Sequence, residues 1–191
     1  MTKEFPIKPF ASPKEWNAWL AKNHKTSDGL WLRLYKKDSG QKTITHAEAL
    51  DEALCYGWID GQLKKYDEVS WLRKFTPRRP GSLWSKRNIE LVERLTKEGR
   101  MKPAGLEQIK AAEKDDRLKQ AYDSPKNMTV PQDFLQELEK DKKALAFFQS
   151  LNKANVYAIA WRLQTAKKPE TRERRMNIIL DMLKKGQKIH E

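Results

Sequence analysis

The chain is poor in the residues from which metal and thiol chemistry are made. Its 191 residues hold one cysteine and three histidines. A lone Cys55 cannot close an internal disulfide, so nothing implies an oxidising compartment. His24, His46 and His190 stand at no i,i+3 or i,i+4 spacing to one another or to Cys55, which argues against a zinc set. No phosphate-binding loop, dinucleotide fingerprint or nucleophile-elbow motif is present, and neither metal nor cofactor is expected. Long apolar runs are missing too. Nothing approaches the ~20 residues of a membrane span, and the opening MTKEFPIKPFASPKEW has no apolar signal core, so a cytoplasmic protein is the expectation. Acidic charge is the last deficit: 26 Asp and Glu against 39 Lys and Arg leave a formal charge of +13. Such an excess draws polyanions and repels cationic ligands.

What is present describes a folded chain. With 38% hydrophobic and 34% charged residues the surface is heavily charged, but seven tryptophans and regular apolar spacing argue against disorder. Phe5 and Ile7 alternate with polar residues as a short strand would. Ser12 before Pro13 and Glu15 is a helix start, and that helix carries Trp16, Trp19 and Leu20 to an end near Asn23. Leu30, Leu32 and Leu34 alternate with Trp31, Arg33 and Tyr35, a strand pattern. Thr45 and Glu48 form a capping box for a helix with Ala47, Leu50, Ala53 and Leu54 inward, stopped at Gly57. Residues 58–66 and 69–76 read as a hairpin turning at Asp67-Glu68, with Val69, Trp71, Arg73 and Phe75 on one face. Helices follow from Ser85 to Gly99 and from Pro103 to about residue 114.

Residues 116–130 lose periodicity and contain Ser124-Pro125, marking a linker between residues 1–115 and 131–191. Beyond it every segment is helical, with inward stripes at Phe134, Leu135 and Leu138, then Leu145, Phe148 and Leu151. Val156, Tyr157, Ala160 and Trp161 mark the next helix, and Met176, Ile179, Leu180 and Leu183 the last. The fold class is α+β: a small mixed N-terminal part with an antiparallel hairpin, followed by an all-helical C-terminal bundle.

Chemistry concentrates between His46 and Asn88. The segment from Trp71 to Asn88 contains Arg73, Lys74, Arg78, Arg79, Lys86 and Arg87 and no acidic residue. Guanidinium forks bind phosphate or carboxylate bidentately, and the indoles of Trp71 and Trp84 offer stacking area. Pro77 and Pro80 stiffen the presenting loop, and Ser85 at a helix start adds backbone donors. A solvated loop with core tryptophans, its arginines paired to Asp60 or Glu68, explains the same residues. Asp60 within a strand needs a partner, most simply Arg78 or Arg79, although with Tyr56 it is also a candidate ligand contact. Cys55 near a helix C-terminus reads as packed core, because the local dipole opposes a thiolate. A second basic cluster, Lys167, Lys168, Arg172, Arg174 and Arg175, stands at a helix start where the dipole disfavours it. It is either a solvated face or a partner contact.

Four ordered motifs, ALCYGWIDGQ at 53–62, FTPRRPGSLWSKRN at 75–88, GRMKPAG at 99–105 and AKKPETRERR at 166–175, resemble the bacterial YdeI/OmpD-associated, bacteriocin-protection family. The resemblance covers about residues 12–188. It implies a small bacterial protein connected with stress or antimicrobial-peptide tolerance, and no established reaction, cofactor or catalytic residue. A literal porin contact would require export, which the opening residues do not encode.

Three readings follow. The first is a non-catalytic binding protein for an anionic partner, nucleic acid first, with Trp71, Arg73, Arg78, Arg79, Trp84, Ser85, Lys86 and Arg87 as the contact surface. The second is a small-molecule binder or enzyme for a phosphate- or carboxylate-bearing substrate, with Arg78 and Arg79 converging on Asp60 and Tyr56. The third is a protein–protein adaptor acting through the helical C-terminal region.

Overall fold

A computed structural model describes residues 4–123 and 127–190. The chain divides into two compact units, residues 1–84 with 88–120 and residues 85–87 with 121–191. Residues 85–87 belong with the second because the Lys86 amide donates to the Tyr122 carbonyl and Ser85 bridges Tyr122. The expected Ser124-Pro125 linker signal lies outside the described residues.

The first unit contains a four-stranded sheet, order β1-β2-β4-β3, with Trp16 of the first helix packed against Trp58 and Phe75 on one of its faces. Strands β1 (Ile7–Pro9) and β2 (Leu30–Tyr35) are parallel, while β4 (Ser70–Pro77) is antiparallel to both β2 and β3 (Trp58–Lys65). Helix α1 (Pro13–Asn23) starts as its sequence dictates: the Ser12 hydroxyl accepts from the Glu15 amide with Pro13 at the first position. Helix α2 (His46–Cys55) carries the complete Thr45/Glu48 capping box. A short 3₁₀ turn, Lys37–Ser39, lies between β2 and α2.

Register decides which side chains meet the helices. Leu30, Leu32 and Leu34 stand opposite Phe75, Arg73 and Trp71, so these six share the helix-facing side. Trp16 of α1 is fully buried against Phe10, Phe75 and Trp58, and its indole N–H donates to the Ala49 carbonyl of α2. Burying a large apolar side chain is worth about 1.5–3 kcal/mol, and Trp16, Trp58 and Phe75 together dominate this core.

Helix α3 (Lys86–Lys97), from Asn88 on, and α4 (Pro103–Lys114) complete the first unit. The motifs around Gly57 and Gly105 interlock here. Gly57 ends α2 at φ +73°, where a β-carbon would meet the Ala104 carbonyl at 2.9 Å. A β-carbon on Gly105 would collide with the Cys55 and Leu54 carbonyls, and the Lys102 amide donates to Cys55 O. Around this contact a polar network ties the elements together: Arg100 and Asn17 both donate to the buried Glu52 carboxylate, and Tyr56 donates to Asn17.

In the second unit α5 (Gln132–Glu139), α6 (Lys142–Gln149), α7 (Lys153–Gln164) and α8 (Pro169–Lys184) enclose Phe134, Leu138, Ala144, Ile159, Leu163, Ile179 and Leu183. The inward face of α7 differs from the expected one. Asn155, Ala158, Ile159, Ala160 and Leu163 are buried, whereas Val156, Tyr157 and Trp161 are half-buried. The reason is Asn155, fully buried and polar. Its side-chain oxygen accepts from the Ile189 and His190 amides and its nitrogen donates to the His190 carbonyl, holding the chain after α8 against α7.

Gly105→Ala is expected to cost about 1–3 kcal/mol, because the added methyl meets backbone carbonyls that cannot rotate away. A lowered urea midpoint at unchanged slope is the outcome to look for; an unchanged midpoint would show that the two helices separate freely.

Candidate functional site

The structure disperses the residues that the sequence groups. Arg78 is buried, with its guanidinium 3.8 Å above the Trp84 ring and a hydrogen bond to the Leu83 carbonyl. Trp84 is buried as well, and lines an apolar groove of about 430 Å³ along α3 and α4. The stiff proline-bounded loop therefore turns one arginine and one tryptophan inward onto each other. Ser85 is buried, and Lys86 pairs with Asp123 at 2.7 Å. Arg79 and Arg87 are exposed.

Asp60 has other partners than expected. Its carboxylate is 2.9 Å from His46 Nε2 and 3.6 Å from Arg73 Nε, not against Arg78 or Arg79. A bulge in β3 between Asp60 and Leu63 leaves the Gly61 carbonyl to accept from Arg73 at 2.9 Å. Trp71 lies beside His46, with ring centroids 6.4 Å apart. Trp71, Arg73 and Asp60 thus do come together, with His46 as the member that sequence spacing missed. On the helix-facing side of the sheet His46 and Asp60 are hydrogen-bonded, while the buried Arg73 Nε stands within ion-pair distance of Asp60 without a hydrogen bond. Glu68 pairs with Lys65 instead of an arginine. Tyr56 lies elsewhere, lining a cavity of about 270 Å³ with His24, Lys102 and Glu107, and Asp60 is not among its walls.

The opposite face of the sheet brings together aromatic and basic residues that are scattered along the chain. Trp31, Arg33 and Tyr35 of β2 stand opposite Lys74, Leu72 and Ser70 of β4, and Lys64 of β3 stands opposite Leu72. Cations lie on aromatic rings across this face. Lys64 Nζ is 4.7 Å and Lys74 Nζ 5.8 Å from the Trp31 centroid, and Lys74 is 4.0 Å from Phe5. The Arg33 guanidinium lies between Tyr35 at 4.6 Å and Tyr66 at 5.1 Å. Each contact at this exposure is worth about 0.5–1 kcal/mol.

The hairpin turn holds Arg33 in place. Asp67 receives Arg33 at 2.6 Å and Ser70 Oγ at 2.6 Å; the hydrogen bond from Ser70, then that from the Val69 amide and the Arg33 charge, lower its pKa. Neither Lys64 nor Lys74 pairs with a carboxylate among the described residues. Tyr66 is 47% exposed and Ile7 41%, so the margins of the face are open to solvent. The signal for this surface was the strict alternation of Leu30, Leu32 and Leu34. It made Trp31, Arg33 and Tyr35 the outward set, but only the pairing with β4 and β3 brought the lysines beside them.

The second basic cluster splits in two. Arg172 pairs with Asp133 of α5, and Arg175 donates to the Arg162 carbonyl at 2.7 Å near the end of α7. A cation there complements the dipole of α7, which explains a charge that the start of α8 disfavours. Lys167, Lys168 and Arg174 remain exposed.

Cys55 is buried, and burial, with the nearby Glu52 charge second, pushes its thiol up to about 11. Among the described residues no group of three or more His, Cys, Asp and Glu could hold a metal ion, and no helix is long and apolar enough to cross a membrane.

Comparison with known families divides the chain in a similar way. Residues 8–108 match a family model described as a domain of unknown function, DUF8412. Residues 127–186 match the model described as Bacteriocin-protection, YdeI or OmpD-Associated. The first match spans more than half of the chain, which therefore belongs to that family, and its second unit carries the YdeI/OmpD-associated domain. The resemblance read from four motifs is supported over 127–186, where only the AKKPETRERR motif falls; the other three lie within 8–108. No curated protein and no solved structure matches.

Two outcomes follow. Native Cys55 should resist an aromatic disulfide reagent at pH 8 and react once the chain is unfolded in urea; rapid native labelling would contradict its burial. In the second unit, Asp133 is held below the usual carboxylate range by Arg172, and Asp123 by Lys86. A depressed pKa contributes stability above the unfolded value of about 4 that is lost as pH falls through the folded one. Stability should thus be level from about pH 7 to 5 and decline below about 4. Asp133→Asn should flatten part of that decline in acid titrations followed by circular dichroism.

Proposed function

We propose that this is a non-catalytic binding protein for an anionic polymer, nucleic acid first, and that the outer face of its sheet is the contact surface. The observation that carries the reading is the set of cations, Arg33, Lys64 and Lys74, arrayed over aromatic rings on one face of one sheet. Phosphate neutralisation by such side chains gives affinity without requiring a sequence code. The formal charge of +13 supplies long-range attraction. Two of these cations are held by weak ring contacts alone, so moving them onto phosphates costs little. The exposed Arg79 and Arg87 are secondary candidates, while Arg78, Trp84 and Arg73 serve the fold in this reading.

The description attached to residues 127–186 links the family to bacteriocin protection. A strongly cationic protein repels cationic peptides, so in this reading any protection is indirect, through the polyanion that is bound.

Fluorescence anisotropy with labelled oligonucleotides tests the proposal. Three phosphate contacts predict a log–log salt slope of about −2 to −3. The pair Lys64→Ala and Lys74→Ala should weaken binding and reduce the slope by about 1.4 to 1.8. Absence of saturable binding to any oligonucleotide at about 50 mM salt, where counterion release favours association, would rule the reading out.

A further inference from the structure

Resting on that reading, we infer that the partner is single-stranded nucleic acid, whose unpaired bases stack on Trp31 and Tyr66 while Lys64 and Lys74 move from the rings to the phosphates. In a duplex the bases are stacked on each other and show only their edges in the grooves, so an aromatic ring finds no base face to cover. A single strand exposes base faces, and a sheet bearing rings among cations matches both its components.

The contacts across the outer face have that composition. Trp31 has Lys64 at 4.7 Å and Lys74 at 5.8 Å from its ring, and Tyr66 has Arg33 at 5.1 Å. Trp31 therefore lies within reach of two lysines suited to the phosphate beside a stacked base, while Tyr66 borders Arg33, which stays paired with Asp67. The cations resting on the rings in the free protein mark where the exchange occurs. A lysine leaves a ring for a phosphate, and a base takes the vacated ring face.

Tyr66 is 47% exposed at the margin of the face, where a base is reached without disturbing the core. Asp67 is fixed by Ser70 and Arg33, so the turn presents Tyr66 without leaving a carboxylate open to repel the strand.

The test compares a labelled thymidine homopolymer of about 15 nucleotides, near the upper end of known single-strand footprints, with a blunt duplex of equal length. The full chain and its Trp31→Ala, Trp31→Phe and Tyr66→Ala variants are titrated at several salt concentrations. The single strand should bind at least about 10-fold more tightly than the duplex, since only it can stack. Trp31→Ala should lose about 5- to 100-fold with its salt slope unchanged, since the phosphate contacts remain, and Trp31→Phe should restore most of the loss. Tyr66→Ala, at an exposed position, should show a loss of the same kind and decides the matter if Trp31→Ala does not fold. Equal affinity for strand and duplex, with both alanine variants neutral, would overturn the inference and leave the polyanion reading standing. Displacement of the strand by polyglutamate as readily as by unlabelled oligonucleotide would overturn it too, as charge alone would then be recognised. No binding to either nucleic acid would remove the polyanion reading itself.

Discussion

Burial of one face of the sheet around Trp16 is the constraint on which the first unit depends. Trp16 has no exposed surface, packs edge-on to Trp58 and Phe75, and bonds α1 to α2 through the Ala49 carbonyl. Because side chains alternate along a strand, committing Leu30, Leu32 and Leu34 to this core sends Trp31, Arg33 and Tyr35 to the other side. A one-residue slip would exchange the two sets. The proposed binding surface is thus the obligatory complement of the core.

Other parts of the chemistry-dense segment serve the same frame. Gly57 and Gly105 let the end of α2 meet the start of α4 backbone to backbone, and Glu52 takes donors from Asn17 and Arg100 beside that contact. The bulge after Asp60 gives Arg73 a carbonyl partner. Motifs that read as an active site are in large part joints: glycines where backbones touch, and charged residues paired where elements meet. The raised pKa of Cys55 belongs to the same account, as a thiol inside a joint stays protonated.

Much of the fold was legible. The Ser12 cap, the Thr45/Glu48 box, the Leu30–Leu34 alternation and the hairpin turning near Asp67 all appear where local rules put them. These features depend on residues within one turn or one strand, which is the range over which capping and alternation act. The partners of charges were not legible. Chain proximity favours Arg78 or Arg79 as partners of Asp60, but its partners are His46 and Arg73, because register and a bulge decide which side chains converge. The buried face of α7 departs from its apolar spacing for a related reason. A buried, fully bonded Asn155 counts as polar in any periodicity, yet besides Asn152 its side chain bonds backbone groups 34 and 35 residues away.

By itself, then, the sequence determined the charge, the class of fold, the helix ends and the alternating sets of each strand, all properties of near neighbours. Only the tertiary structure decided which basic and aromatic residues share a surface. Trp71, Arg78 and Trp84 lie close in the chain to exposed cations, but packing turned Arg78 and Trp84 inward onto each other and placed Trp71 beside His46. Trp31, Lys64 and Lys74, spread over three strands, were brought together by pairing. The reason is physical: a ring or a charge becomes available to a partner only after the core has taken the face it needs, and that choice is made by contacts between distant segments.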